Sequence, residues 1–247
     1  MSPDMIAELA AKAASNEDPT EVTQGGDYEY TPPPAGKTIG RLVEYIEIGK
    51  QPQKPYQGKP KPDAEEVWIG FELLHPKKNI REIEIEGEGK KTVADFIRVR
   101  LTKKLGEKAK FKKLFNKLQY GRADKKHIAQ MLGEAFILEV FHSKSEEGKK
   151  TYVNLDKDGE YGIQAPFIID PLTEERKDIN VPAHIRPLRI FLWDFPNTET
   201  WDSLFIDGTR EVKKDDGSVE HVSRNWLQER ILSARNYAGS SLHHMLE

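Results

Sequence analysis

Around residue 42 the chain settles into alternation. Leu42, Glu44, Ile46 and Ile48 take turns with Val43, Tyr45 and Glu47, which predicts a strand. Residues 50–62 follow, with prolines at 52, 55, 60 and 62; these exclude an interior strand or helix and predict a long loop. A second strand is expected over residues 66–74. It puts Val67, Ile69, Phe71 and Leu73 on one face and Trp68, Gly70 and Glu72 on the other. A third short strand is expected over residues 81–85, and residues 96–101 could form another beyond the five counted below. Phe111, Leu114, Phe115 and Leu118 then follow the i, i+3, i+4, i+7 spacing of a helix, with Gly121 as its stop. Asp124 is placed to cap a second short helix running to Leu132. Residues 133–141 form a strand with Phe136, Leu138 and Val140 on one face. A charged hairpin loop over 144–150 leads to a last strand at 151–155.

Five strands with a helix between the third and fourth predict a mainly β domain with helical additions, in the order of an OB-fold, the five-stranded Greek-key barrel. The chain divides into an arm over residues 1–35, the barrel over 36–165 and an extension over 166–247. In the arm, Ile6, Leu9 and Ala13 share one face of a short helix, and Pro32, Pro33 and Pro34 make an extended spacer. The extension is punctuated by prolines and expected to wrap the barrel or dock partners. It offers a short strand and turn at 204–208, a hairpin turn at 215–217 and a helix over 224–237 stopped by Gly239.

Composition narrows the function. The 247 residues are 37% hydrophobic and 32% charged, enough apolar side chain for a core. No apolar run is long enough to cross a membrane, and residues 1–14 lack the basic-then-apolar pattern of a secretory signal. With no cysteine, disulfides, thiolate metal sites and a cysteine nucleophile are excluded, which suits a reducing cytoplasm. The net charge of −3 disfavours nucleic acid when taken alone, but its distribution is segregated. Lysines dominate residues 50–61 and 103–126; carboxylates dominate the arm and residues 194–220.

Binding an unpaired strand requires cations along the phosphates and aromatic faces for the bases. Lys50, Lys54, Lys59 and Lys61 surround Tyr56 in the loop that an OB-fold turns toward its ligand. Trp68 falls on the outer face of the second strand, and Tyr45 is placed likewise on the first. Lys144, Lys149, Lys150 and Tyr152 fit the second clamping loop. Against this, aromatic residues usually pack, the extension is positioned to cover Trp68, and the lysines of 103–126 read as a solvated face. No cofactor or metal is expected. Gly36-Lys37-Thr38 lacks the earlier glycine of a phosphate loop. Asp194, Asp202 and Asp207 fit a packed loop better than a nuclease centre, and the adjacent His243 and His244 are expected to diverge. No Ser-His-Asp arrangement is visible, so no enzyme is expected.

The run Thr38-Ile-Gly-Arg-Leu-Val-Glu-Tyr-Ile-Glu-Ile-Gly-Lys-Gln-Pro-Gln and the later Trp68-Ile-Gly-Phe-Glu-Leu resemble the OB-fold single-stranded DNA-binding proteins of bacteriophages. Ala129-Gln-Met-Leu-Gly-Glu-Ala-Phe, Leu192-Trp-Asp-Phe-Pro, Trp201-Asp-Ser-Leu-Phe-Ile-Asp-Gly208 and Ser223-Arg-Asn-Trp-Leu-Gln-Glu are similar to segments of the same family, so the likeness spans nearly all the chain from Ala35. The resemblance implies protection of unwound strands in phage DNA replication or recombination, in the cytoplasm of the infected host. Phage polymerase, helicase or nuclease would be partners. One departure stands out: the chain ends Leu242-His-His-Met-Leu-Glu247, without an acidic tail, leaving the acidic stretch 194–220 as the substitute docking segment. A strand-annealing recombination protein and a non-catalytic OB-fold interaction scaffold are the alternatives.

Overall fold

The computed structural model describes residues 31–85, 89–145, 151–213 and 217–247. The arm helix on Ile6, Leu9 and Ala13, and Lys149 and Lys150 of the second loop, lie outside the described residues.

β1 (Gly36–Tyr56) runs for 21 residues, well past the end of the alternation. Gln57 and Gly58, both with positive φ, turn the chain into β2 (Lys59–Leu73). Two left-handed residues in succession match the right-handed twist of the flanking strands. Residues 50–62, expected as a loop, are therefore a β-ribbon. The ladder pairs Lys50 with Glu65, Gln51 with Ala64, Gln53 with Lys61 and Tyr56 with Lys59. Pro52, Pro55, Pro60 and Pro62 all fall between those pairs, where no backbone N–H is required.

β3 (Ile80–Ile85) and β4 (Gly89–Thr102) form a hairpin, and β4 pairs antiparallel with β2. α1 (Lys110–Gln119) buries Phe111, Leu114 and Leu118, and ends at a left-handed Tyr120. The second helix is a single 3-10 turn, Ile128–Met131, capped by His127 rather than Asp124. The His127 ring accepts from the Ala129 N–H at 3.2 Å, and Gln130 Oε1 accepts from the His127 N–H at 3.0 Å. This reciprocal pair satisfies two donors that Asp124, further upstream, does not serve.

β5 (Ala135–Lys144) returns along the start of β1, and β6 (Thr151–Asn154) pairs with β5. The sheet order is β3-β4-β2-β1-β5-β6. Its end strands do not pair with each other among the described residues, so the sheet is open along its hydrogen bonds rather than a closed barrel. β7 (Asp156–Lys157) and β8 (Glu160–Tyr161) form a small hairpin, and β9 (Ile163–Gln164) adds to β5.

Both faces are buried over residues 42–49 of β1 and 67–73 of β2, and irregularities in β1 decide how. The register shifts between Leu42 and Glu44, so Val43 is an extra residue. A bulge of this kind reverses the parity of the residues after it, here up to the next register shift at Ile48. Leu42 and Tyr45 consequently share one face with Val67, Ile69 and Phe71, packed on α1 and the 3-10 turn. Ile46 and Ile48 share the other with Trp68, in a second core built with Phe191, Trp201, Leu204, Leu227, Ile231 and Leu242.

The second core is supplied by the C-terminal third. β10 (Phe167–Ile169) and β11 (Arg176–Asp178) form a separate hairpin. β12 (Arg189–Phe191) then pairs parallel with Glu44–Ile46, taking up the edge of β1 that β5 leaves at Arg41. The segment leading into and out of β12 is held by charged side chains of the sheet. Arg41 donates to the Val181 and Pro182 carbonyls, Glu72 accepts from the Ile185 and Arg186 amides at 2.8 and 3.0 Å, and Glu47 accepts from the Trp193 amide at 2.9 Å. α2 (Thr198–Asp202), the hairpin of β13 (Thr209–Lys213) and β14 (Val219–Ser223), α3 (Trp226–Leu232) and α4 (Ser241–Leu246) complete the chain. The strand expected at 204–208 starts instead at Thr209, because Leu204 is drawn into the second core. The helix expected over 224–237 is only α3, since the chain turns at Ser233 and the Arg235 N–H donates to the Lys50 carbonyl of the ribbon.

His127 gives the fold a pH dependence. Burial lowers its pKa from the ordinary value of 6.5; Glu47 opposes that shift and Lys103 reinforces it. A histidine with a depressed folded pKa binds fewer protons folded than unfolded, so its contribution is complete above 6.5 and is lost as the pH falls below it. Thermal melts from pH 8 to 5 should show wild type losing more stability than His127→Asn, whose amide can still cap the turn. Parallel curves would remove His127 as the cause.

Candidate nucleic-acid interface

The β1–β2 ribbon carries the first group of expected residues. Lys50, Lys54, Lys59 and Lys61 are all exposed, and Tyr56 stands at the end of β1 by backbone position. The base of the ribbon is anchored, since the Lys50 N–H donates to Asn236 Oδ1 at 2.7 Å. In the second group, Lys144 is exposed and Tyr152 is 52% exposed opposite Ser143. The register keeps the groups apart: the ribbon continues the end of β1, whereas antiparallel β5 carries Lys144 past its start.

The two strand aromatics are not on an open surface. Tyr45 is fully buried, because the bulge at Val43 turns it inward. Its hydroxyl donates to Glu47 Oε1 at 3.1 Å and lies 3.3 Å from His127 Nε2. Burial first, and then the Glu47 carboxylate, push its pKa far above the usual tyrosine range. Trp68 does point to the outer face, but the C-terminal segment covers it to 3% exposure. Trp226 packs on it with ring centroids 5.3 Å apart, and the Trp68 Nε1–H donates to Glu66.

What sequence reading missed lies beside Trp68. Phe96, Arg98 and Arg100 alternate along β4 with Ile97, Val99 and Leu101, which belong to the first core. The outward three form a cation–aromatic layer. The Arg98 guanidinium sits 5.1, 5.3 and 5.5 Å from the Phe96, Trp226 and Trp68 rings, and that of Arg100 sits 4.4 Å from Trp68. Arg98 is fixed by Glu44, whose carboxylate accepts from its Nε and Nη2 at 2.9 and 2.8 Å. Arg100 opens instead onto a groove of about 390 Å³ lined by Ile206, Arg210, Arg224 and Trp226. The period-two Phe96-Ile97-Arg98-Val99-Arg100 pattern was the available signal; nothing local links it to residues 206–226.

The lysines of residues 103–126 are partly neutralised, as a solvated face would be. Lys103 pairs with Glu47, Lys110 with Asp156 at 2.9 Å, Lys113 with Glu160 at 2.6 Å and Lys125 with Glu134 at 3.2 Å. Among the described residues, Asp194, Asp202 and Asp207 do not gather into a metal-ligand group. His243 and His244 do not diverge as expected. Both reach Glu247, at i+4 and i+3, and the three bring ligand atoms within 4.8 Å of one another. Among the described residues, no helix is long and apolar enough to cross a membrane. No protein-family model, curated protein or solved structure matches the chain.

Proposed function

We propose that this chain is a non-catalytic single-stranded DNA-binding protein built on an open sheet with an OB-like order of strands. The observation that carries the reading is the β1–β2 ribbon, whose lysines are exposed outside both cores; on an OB reading this ribbon is the connection between the first two strands, one of the two that clamp the ligand. Lysines there displace counterions from phosphates without reading bases, so binding is tolerant of sequence. The strand connections support the OB assignment. β1 pairs with β5 through its first residues and with β2 through the rest, and α1 falls between β4 and β5. On this reading β3 and the half of β4 that pairs with it, residues 89–94, are an addition, residues 95–102 of β4 are the third strand of the five, and the resemblance of the chain supplies the setting, unwound strands in phage replication or recombination.

Titration with labelled oligo-dT and with duplex across a salt series tests it. The single strand should bind, the duplex more weakly, and affinity should fall as salt rises. Lys54→Ala/Lys59→Ala should lower the salt slope for oligo-dT by about 1.4, roughly 0.7 for each of the two lost phosphate contacts on a single strand. Absence of binding to oligo-dT at low salt would sink the reading.

A further inference from the structure

We propose that the groove between β4 and the β13–β14 hairpin is a phosphate site that seats the backbone of a single nucleic-acid strand, with one unpaired base against Trp226. The proposal rests on the single-strand reading and gives it a second surface, formed by the C-terminal third rather than by the ribbon.

Three guanidinium groups from separate parts of the chain meet here: Arg100 from β4, Arg210 from β13 and Arg224 just after β14. The other lining residues are Ile206 and Trp226, and no carboxylate is among them. Among the described residues none of the three arginines forms a salt bridge, whereas Arg98 and Arg230 nearby are paired with Glu44 and Glu66. Arg100 also stands near two cations outside the groove, Arg98 of the same strand and Arg230 of α3. Burial lowers its pKa, Arg98 and Arg230 lower it further, and Glu66 acts in the opposite direction. A bound anion relieves this, and the planar guanidinium fork matches the oxygens of a phosphate.

The walls of the groove are braced by hydrogen bonds. The Ile206 N–H donates to Asn225 Oδ1 at 3.3 Å, and the Arg224 N–H donates to the Gly208 carbonyl at 2.9 Å. Gly208, at φ +89°, makes the turn, and a Cβ there would sit 3.4 Å from Arg224 Cδ. Trp226 is half-buried and braced by Trp68, so its orientation is set before any ligand arrives. An indole beside arginines accepts the face of a base only when that base is unpaired, which makes a single strand the ligand.

The test uses the full chain, labelled oligo-dT, and inorganic tripolyphosphate as the baseless alternative. Arg210→Ala/Arg224→Ala removes two exposed side chains, and a melting curve confirms that the variant folds. Oligo-dT binding at low salt should weaken at least about tenfold, with a salt slope lower by about 1.4. Quenching of tryptophan fluorescence by oligo-dT should disappear in this variant and in Trp226→Phe, yet persist in Lys54→Ala/Lys59→Ala. Wild-type binding with an unchanged arginine variant overturns the groove alone. No oligo-dT binding by wild type overturns the single-strand reading and the groove together. Quenching by tripolyphosphate without quenching by oligo-dT overturns the strand as ligand.

Discussion

Trp68→Ala should destabilise the protein by about 3–5 kcal/mol, the cost of a large aromatic truncated within a core. From the strand pattern alone, the same substitution would be a clean probe of base stacking on a folded protein. Three features of its surroundings change that expectation. The indole is buried against Trp226, its N–H donates to Glu66, and two guanidinium groups lie over its rings. Removing it opens a cavity between the sheet and α3, leaves Glu66 with one fewer donor and strips the support from Trp226. Urea denaturation should show a lower midpoint for Trp68→Ala than for Trp226→Phe. A midpoint within experimental error of wild type would mean that the C-terminal segment does not cover Trp68 in solution.

Glu44→Ala should cost a similar amount, about 3–5 kcal/mol, because it leaves a largely buried arginine without its counter-charge. Glu44 is 4% exposed. It holds Arg98 through two short hydrogen bonds, and Arg189 approaches it at 3.7 Å. Arg98 in turn spans three aromatic rings, and Arg189 opens the strand that covers the edge of β1. The double variant Glu44→Met/Arg98→Met should recover much of the loss, since an apolar pair of similar volume often replaces a buried ion pair at little cost. A double variant as unstable as Glu44→Ala would place the effect in the packing of Arg98 on its rings, not in the stranded charge.

Legibility followed the range of the interactions. The faces of β2, the helix on Phe111, Leu114 and Leu118 and the inward side of β5 were readable because each is a local periodicity. The ribbon was misread because proline excludes a strand only where its nitrogen must donate, and pairing register is not a local property. Tyr45 was misplaced for the same reason: one inserted residue at Val43 reverses parity, and nothing around it in sequence announces the bulge. The Phe96-Arg98-Arg100 alternation was visible in the strand, but not the groove, whose other walls arrive more than a hundred residues later.

By itself, then, the sequence determined a mainly β chain, most of its strands, its amphipathic helix and the lysines of the ribbon. Spacing along a few neighbouring residues is enough to bury one face and solvate the other. The tertiary structure alone decided which aromatics are covered, which carboxylates are buried and which arginines form no salt bridge among the described residues. Those outcomes depend on the C-terminal third docking on β1 and β2, and docking is selected by the fit of two distant surfaces rather than by the pattern within either.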